Sequence, residues 1–177
     1  MAKKTITIGG LPGAGTTTVA KMLAEKTGMA YINAGEIYRD FADRRSMPLI
    51  DFERYSENHP EIDVKIDKKQ EEIIRKGNAV VEGRLSGWIA YLKKIPAIKI
   101  WLECDENERI RRIVGREGGE LAEKKKETKE REESEARRYK KFYGIDLSDK
   151  SIYDIVIDTT SIPAEEVVRQ IMEKIKG

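Results

Sequence analysis

The six residues Gly10-Leu11-Pro12-Gly13-Ala14-Gly15 constrain this chain more than any other stretch. Before them, Thr5-Ile6-Thr7-Ile8 alternates polar and apolar side chains and is β-branched throughout, which favours a strand. After them, Val19, Ala20, Met22 and Leu23 recur at helical spacing, and Gly28 stands where a helix C-terminus favours glycine. The glycine loop therefore joins a strand to a helix, and the same alternation continues down the chain. Ala30-Tyr31-Ile32, Ala79-Val80-Val81, Ile98-Lys99-Ile100-Trp101-Leu102 and Tyr153-Asp154-Ile155-Val156-Ile157 read as four further strands. Between them, Ile37 and Phe41 mark a helical face after Gly35. Pro48 and Pro60 interrupt the pattern, and a long helix then runs to Lys76 and stops at Gly77. A helix over 105–116 turns Ile110 and Ile113 inward and its arginines elsewhere. The last helix carries Val167, Val168, Ile171, Met172 and Ile175 on one stripe. Five strands separated by helices predict an α/β fold, a parallel sheet with helices on both faces. At 177 residues and 39% apolar content, the chain suits one compact domain.

Phosphate is the ligand that such a loop accepts. The P-loop pattern is glycine, four residues, then Gly-Lys-Ser/Thr. Gly10 to Thr17 matches it at every position but one, where Thr16 replaces the lysine. The amides of Gly13 through Thr17 are expected to point into the loop, and the helix N-terminus adds partial positive charge. Thr17 holds the position whose hydroxyl reaches magnesium, and Thr18 completes a threonine run better suited to a cap than to a helix interior. A charge-assisted hydrogen bond is worth about 1.5–3 kcal/mol, so the missing lysine needs a substitute.

Arginine is the candidate source. Arg109, Arg112 and Arg116 share a helix face by their spacing, as do Arg131 and Arg138 with Glu135 between them. Arg84 follows the strand 79–81 directly, at the carboxyl end where open α/β sheets bind ligands, and a planar guanidinium suits phosphate better than an ammonium. Arg39 lies one turn into the helix after the second strand. From Glu123 to Glu135 no residue is apolar. A helix without an apolar stripe cannot dock firmly on a core, so this segment reads as an exposed helix, with pairs such as Glu127–Arg131 and Lys129–Glu133, or as a mobile lid over a charged ligand.

Composition narrows the partners. Charged residues make up 37%, yet 34 basic and 32 acidic side chains leave a net charge of only +2, which argues against bulk nucleic-acid binding. Heavy use of lysine and glutamate with little cysteine hints at a heat-adapted source. One cysteine, Cys104, permits no internal disulfide, and one histidine, His59, permits no histidine metal cluster. No signal-peptide stretch precedes the first strand after Met1-Ala2-Lys3-Lys4, and no apolar run is long enough to span a bilayer, so a soluble cytoplasmic protein with no membrane partner is expected. His59, Cys104, Trp88, Trp101 and Asp158 read as turn, core or capping residues without chemistry.

With these residues in hand, the chain resembles the cytidylate kinases of the archaeal type, within the adenylate-kinase-like P-loop kinases. The resemblance rests on Gly10 through Thr18, on Asn33-Ala34-Gly35-Glu36-Ile37-Tyr38-Arg39, on Glu82-Gly83-Arg84, and on Lys129-Glu130-Arg131 followed by Glu135 and Arg138. In this subgroup threonine at the lysine position is the expected variant. The resemblance implies transfer of the γ-phosphoryl of ATP to CMP and dCMP, with magnesium, by a monomer whose partners are nucleotides. It implies ATP on Gly10 through Thr18 and Arg116, CMP on Gly35, Tyr38, Arg39, Arg84, Arg131 and Glu135, and catalysis by Arg84, Arg131 and Arg138. It implies magnesium held by Thr17 through ATP and by Glu82 through water. It further implies a core of 1–35, 76–116 and 144–177, a monophosphate-binding insertion over about 36–75, and a lid over about 117–143. Two alternatives stay open: a related kinase with an adenylate, uridylate or shikimate-type acceptor, or a nucleotide-dependent assembly factor with slow ATPase.

Overall fold

β1 (Thr5–Gly10) is buried along its whole length, as a central strand of a covered parallel sheet must be. In the computed structural model, which describes residues 5–176, it lies between β3 (Ala79–Glu82) and β4 (Ala97–Glu103). β2 (Ala30–Asn33) and β5 (Ile155–Asp158) form the edges, giving the order β2-β3-β1-β4-β5 with every pairing parallel. The order reverses direction at β1, and the crevice at such a reversal is where α/β sheets take ligands. The five strands fall where the sequence periodicity puts them. The last begins at Ile155, because Tyr153 belongs to a turn, its amide donating to Lys150 O at 3.1 Å. Met1–Lys4 lie outside the described residues.

Two apolar layers sandwich the sheet. On one face, Ile6, Ile8, Val80, Ile100 and Leu102 pack on Val19 and Leu23 of α1 (Thr16–Thr27) and on Val167, Val168 and Ile171 of α8 (Ala164–Lys176). On the other, Val81 and Trp101 pack with Trp88 and Ile89 of α5 (Ser86–Leu92) and with Ile74 of α4 (Pro60–Lys76). The helix α5 is not evident from the sequence; Ser86 through Ala90 are buried and the exposed Tyr91 and Leu92 are themselves apolar, so no polar face breaks the pattern.

A third, smaller cluster sits apart. Phe52 of α3 (Leu49–Glu57), Ala42 of α2 (Ala34–Asp43), and Ile62 and Ile66 of α4 make a helical core of their own beside the sheet. α6 (Glu106–Glu117) starts at Asp105, whose carboxylate accepts from the amides of Asn107 and Glu108. One expectation is corrected here: Arg109 is 4% exposed and points inward with Ile110 and Ile113.

The charged segment 123–135 lies inside a single long helix, α7 (Leu121–Tyr143). Here the structure overturns the reading that a helix lacking an apolar stripe cannot dock. Thr128 and Arg138 are buried, α7 is tied down by ion pairs, and Tyr139 and Tyr143 at its C-terminal end pack on the second apolar layer. Glu127 pairs with Lys124 and Arg131 with Glu53, in place of the helical pair expected between them. His59 is a local turn residue, its Nδ1 2.7 Å from Tyr55 O and its ring stacked on Tyr55. Asp158 caps a turn by accepting from the Thr160 amide at 2.9 Å.

Candidate active site

A cleft of about 430 Å³ opens at the carboxyl ends of β1 and β3, between the glycine loop, α2, α4 and α7. Gly10, Leu11, Pro12, Gly13, Thr16 and Thr17 form one wall. Gly35, Tyr38, Arg39, Glu82 and Arg84 line it further along, and Arg116, Arg131, Glu135 and Arg138 close it from α6 and α7. Residues far apart in sequence thus share one space, because the strand ends and the two flanking helical segments converge there. Ala14, Gly15 and Thr18 do not line it. Ala14 is buried in the core, Gly15 is the N-cap of α1, and Thr18 is exposed on that helix.

The loop's shape depends on its glycines. Gly13 has φ 86°, and a Cβ there would lie 2.5 Å from the Arg109 carbonyl oxygen. Gly15 has φ 90° and gives α1 no side-chain cap. The Ala14 amide is consumed by the turn, donating to Leu11 O at 3.0 Å, which corrects the expectation that it points at a ligand. The amides of Gly13, Gly15, Thr16, Thr17 and Thr18 have no acceptor among the described residues. An uncapped helix start with free donors fits an anion. Behind the loop, Arg109 donates to Pro12 O at 2.9 Å, and Arg112 donates to Thr159 O at 2.8 Å and to Gly13 O at 3.4 Å. These two arginines of α6 brace the backbone rather than face the cleft.

Glu82 is held on both carboxylate oxygens. Oε1 accepts from Thr16 Oγ1 at 2.8 Å and from Thr17 Oγ1 at 2.6 Å, and Oε2 accepts from Tyr31 Oη at 2.5 Å. Burial and this carboxylate push the Tyr31 hydroxyl well above the ordinary tyrosine range, so it stays a donor. The Thr17 hydroxyl and the Glu82 carboxylate are hard oxygen donors in contact, which fits magnesium carried in by a phosphate ligand.

The end of the cleft away from the glycine loop is a lattice of arginines facing carboxylates. Arg84 Nε pairs with Glu135, whose other oxygen accepts from Tyr139 Oη at 2.7 Å. Arg131 lies 3.3 Å from Glu53, and Arg138 lies 3.4 Å from Asp63. Tyr143 Oη donates to Asp67, and Ser134 Oγ to Glu57. Arg39 has no carboxylate partner among the described residues, and Tyr38 donates to Ser56 Oγ at 3.1 Å. Arg116 stands at the rim, its guanidinium 2.6 Å from Glu117. Burial raises the Asp63 carboxyl against the pull of Arg138, and it pushes Asp67 up to about 7 although Tyr143 opposes the shift.

Sequence reasoning missed Glu53, Asp63, Asp67, Gln70 and Tyr139, which all line the cleft. A signal was present on α4, where Asp63, Asp67 and Gln70 fall at helical spacing on the stripe that holds Ile66. A polar residue on an inward stripe points to a lined cavity.

The sheet order, the glycine loop at the end of the central strand and the arginine-lined cleft define a P-loop kinase. A crystal structure of shikimate kinase from Bacteroides thetaiotaomicron superposes with a TM-score of 0.64, covering 98% of this chain and 99% of that one at 16% identity, a likeness of fold. The family model of the cytidylate kinase-like family matches residues 5–161. Cytidylate kinase of Archaeoglobus fulgidus is 46% identical over 172 residues, 97% of this chain and 94% of that protein. Cytidylate kinase of Methanocaldococcus jannaschii is 48% identical over 163 residues, 92% of each. The chain belongs to the cytidylate kinase-like family.

Proposed function

We propose that the protein transfers the γ-phosphoryl group of MgATP to CMP and to dCMP, giving the diphosphate and ADP. The observation that carries this reading is the single cleft, with an uncapped glycine loop at one end and Arg39, Arg84, Arg131 and Arg138 at the other. One phosphate-binding end would serve an ATPase; two serve transfer between phosphates.

An acceptor phosphate oxygen forms a bond to the γ-phosphorus as the bond to the β–γ bridging oxygen breaks, and ADP leaves with that electron pair. The attacking oxygen is already anionic, so no strong base is required, and catalysis is positioning and charge neutralisation. The free amides of Gly13, Thr16 and Thr17, on the wall of the cleft, hold the donor phosphates. Magnesium, when bound at Thr17 and Glu82, supplies further neutralisation of those phosphates. Arg39 and Arg84 hold the acceptor phosphate, and Arg131 and Arg138 span the two substrates. Three of these four arginines already face Glu135, Glu53 and Asp63, so a phosphate must displace or join those carboxylates. The segment 36–75 acts as the acceptor-binding insertion and 117–143 as the lid, whose closure keeps water from the γ-phosphoryl group.

The protein works as a cytoplasmic monomer with nucleotides as its partners. One chain supplies every wall of the cleft, and no described helix is long and apolar enough to cross a membrane. A coupled assay with MgATP across CMP, dCMP, UMP, AMP and shikimate tests the reading. CMP and dCMP are expected to give the highest kcat/KM. A higher value for another acceptor overturns the choice of substrate, and ATP hydrolysis without transfer overturns the kinase reading.

A further inference from the structure

Thr16, Thr17 and Tyr31 place three hydroxyl donors on one buried carboxylate. Glu82 is 8% exposed and ends β3, level with Ile8 of β1 and Asn33 of β2. Its Oε1 takes Thr16 and Thr17, and its Oε2 takes Tyr31. The Tyr31 oxygen in turn accepts from Asn33 Nδ2 at 3.2 Å, which fixes the phenol's own orientation. Tyr31 does not line the cleft, so it meets a nucleotide only through Glu82.

Two donors, one on each oxygen, are enough to stop a carboxylate from rotating. The third is therefore free to leave without releasing it. Thr17 holds the motif position that serves the metal, and a lone pair of its hydroxyl oxygen is what magnesium would take, so its hold on Glu82 can loosen as the metal enters. Thr16 and Tyr31 would remain, one on each oxygen, with the carboxylate still aimed. This also gives the lysine position a different duty. A lysine ammonium would act by charge on the donor phosphates, whereas Thr16 acts by geometry on the carboxylate beside them.

We infer that Tyr31, together with Thr16, is the positioning residue of the magnesium subsite: the pair locks both oxygens of Glu82, so that the carboxylate stays aimed when the Thr17 hydroxyl oxygen serves the metal. This rests on MgATP being the donor. Partners that orient a metal-holding group typically change metal affinity or activity about 10–100-fold when removed.

Calorimetric titration of the whole protein with ATP in excess magnesium, and with ATP in excess chelator, separates this role from simple support of the fold. Tyr31→Phe and Thr16→Val are each expected to weaken MgATP binding about tenfold or more and to leave metal-free ATP binding within about twofold of the wild type. Half-saturating magnesium in steady-state assays should rise in step, with KM for CMP unchanged, and Thr16→Ser should restore wild-type behaviour. Equal weakening with and without metal, or no change in either, overturns the inference. A wild type that binds ATP equally with and without magnesium overturns it as well. If Tyr31→Phe fails to fold, Thr16→Val carries the same comparison alone. A wild type that phosphorylates a monophosphate other than CMP defeats the proposed acceptor and leaves the inference standing.

Discussion

Thr16 and Arg131 show how differently single residues carry a site of this kind. Thr16 is small and half-buried, and its hydroxyl has one partner, Glu82. Arg131 is 51% exposed at its side chain and meets the more sheltered Glu53 directly at 3.3 Å. A partly exposed ion pair of that kind is worth about 0–1 kcal/mol, so Arg131→Ala should leave unfolding stability within about 1 kcal/mol of the wild type. Its proposed work lies in the transition state, where loss of one stabilising donor typically costs about 100-fold or more in turnover. We therefore expect kcat to fall at least that far while ATP binding changes little, as measured by steady-state kinetics beside direct titration. An unchanged turnover number would remove Arg131 from the catalytic set. Both residues are conspicuous in the sequence, one by breaking a motif and the other by its spacing from Arg138. Their partners are not.

At the scale of the element, α7 is the instructive case. Its stretch without apolar residues gives no stripe to read, and the family resemblance rather than the periodicity marks it as a lid. The structure docks its charged part through Arg84–Glu135, Arg109–Glu132, Arg131–Glu53 and Arg138–Asp63, and its C-terminal end through Tyr139 and Tyr143 on the second apolar layer. Only the third of these ion pairs has an end open to solvent, so salt should loosen the helix unevenly. Screening shortens from about 10 Å at 0.1 M salt to about 3 Å at 1 M. Amide exchange over 123–135 is expected to speed up several-fold across that range, while β1 and β4 hold steady, because their protection comes from apolar burial. Uniform exchange across all three elements would mean that α7 is held by something other than charge. An element that docks by charge is illegible to hydrophobic periodicity, since its inward face looks like a solvated one.

The whole molecule folds around its apolar layers but leaves buried carboxyls in the cleft, and this ties stability to pH. Asp67 is pushed up to about 7 by burial beside Asp63, with Tyr143 opposing. In the unfolded chain an aspartate titrates near 4. Between those values the folded protein holds a proton that the unfolded chain has lost, so this group's contribution is full below about pH 4 and is lost as pH rises through about 7. Urea unfolding at pH 5 and pH 8 should show the wild type losing stability relative to Asp67→Asn, by on the order of 2 kcal/mol. A difference between the two proteins that does not change with pH would show that Asp67 is already ionised at pH 5.

What the chain determines by itself is what neighbours in sequence can express. The strand–loop–helix unit around Gly10, the five strands, the stripe of α8 and the stop at Gly77 each rest on periodicity or on a backbone preference spanning a few residues, and the structure keeps them. The arginines of the cleft are legible in the same way, as spacing and as position after a strand. What only the tertiary structure decided is which group each one meets: Arg138 finds Asp63, Arg84 finds Glu135, and Glu82 finds Tyr31. Those pairings join residues about 50 or more positions apart. A buried charge is stable only when its partner arrives from elsewhere in the fold, and nothing in the local sequence records which partner that is.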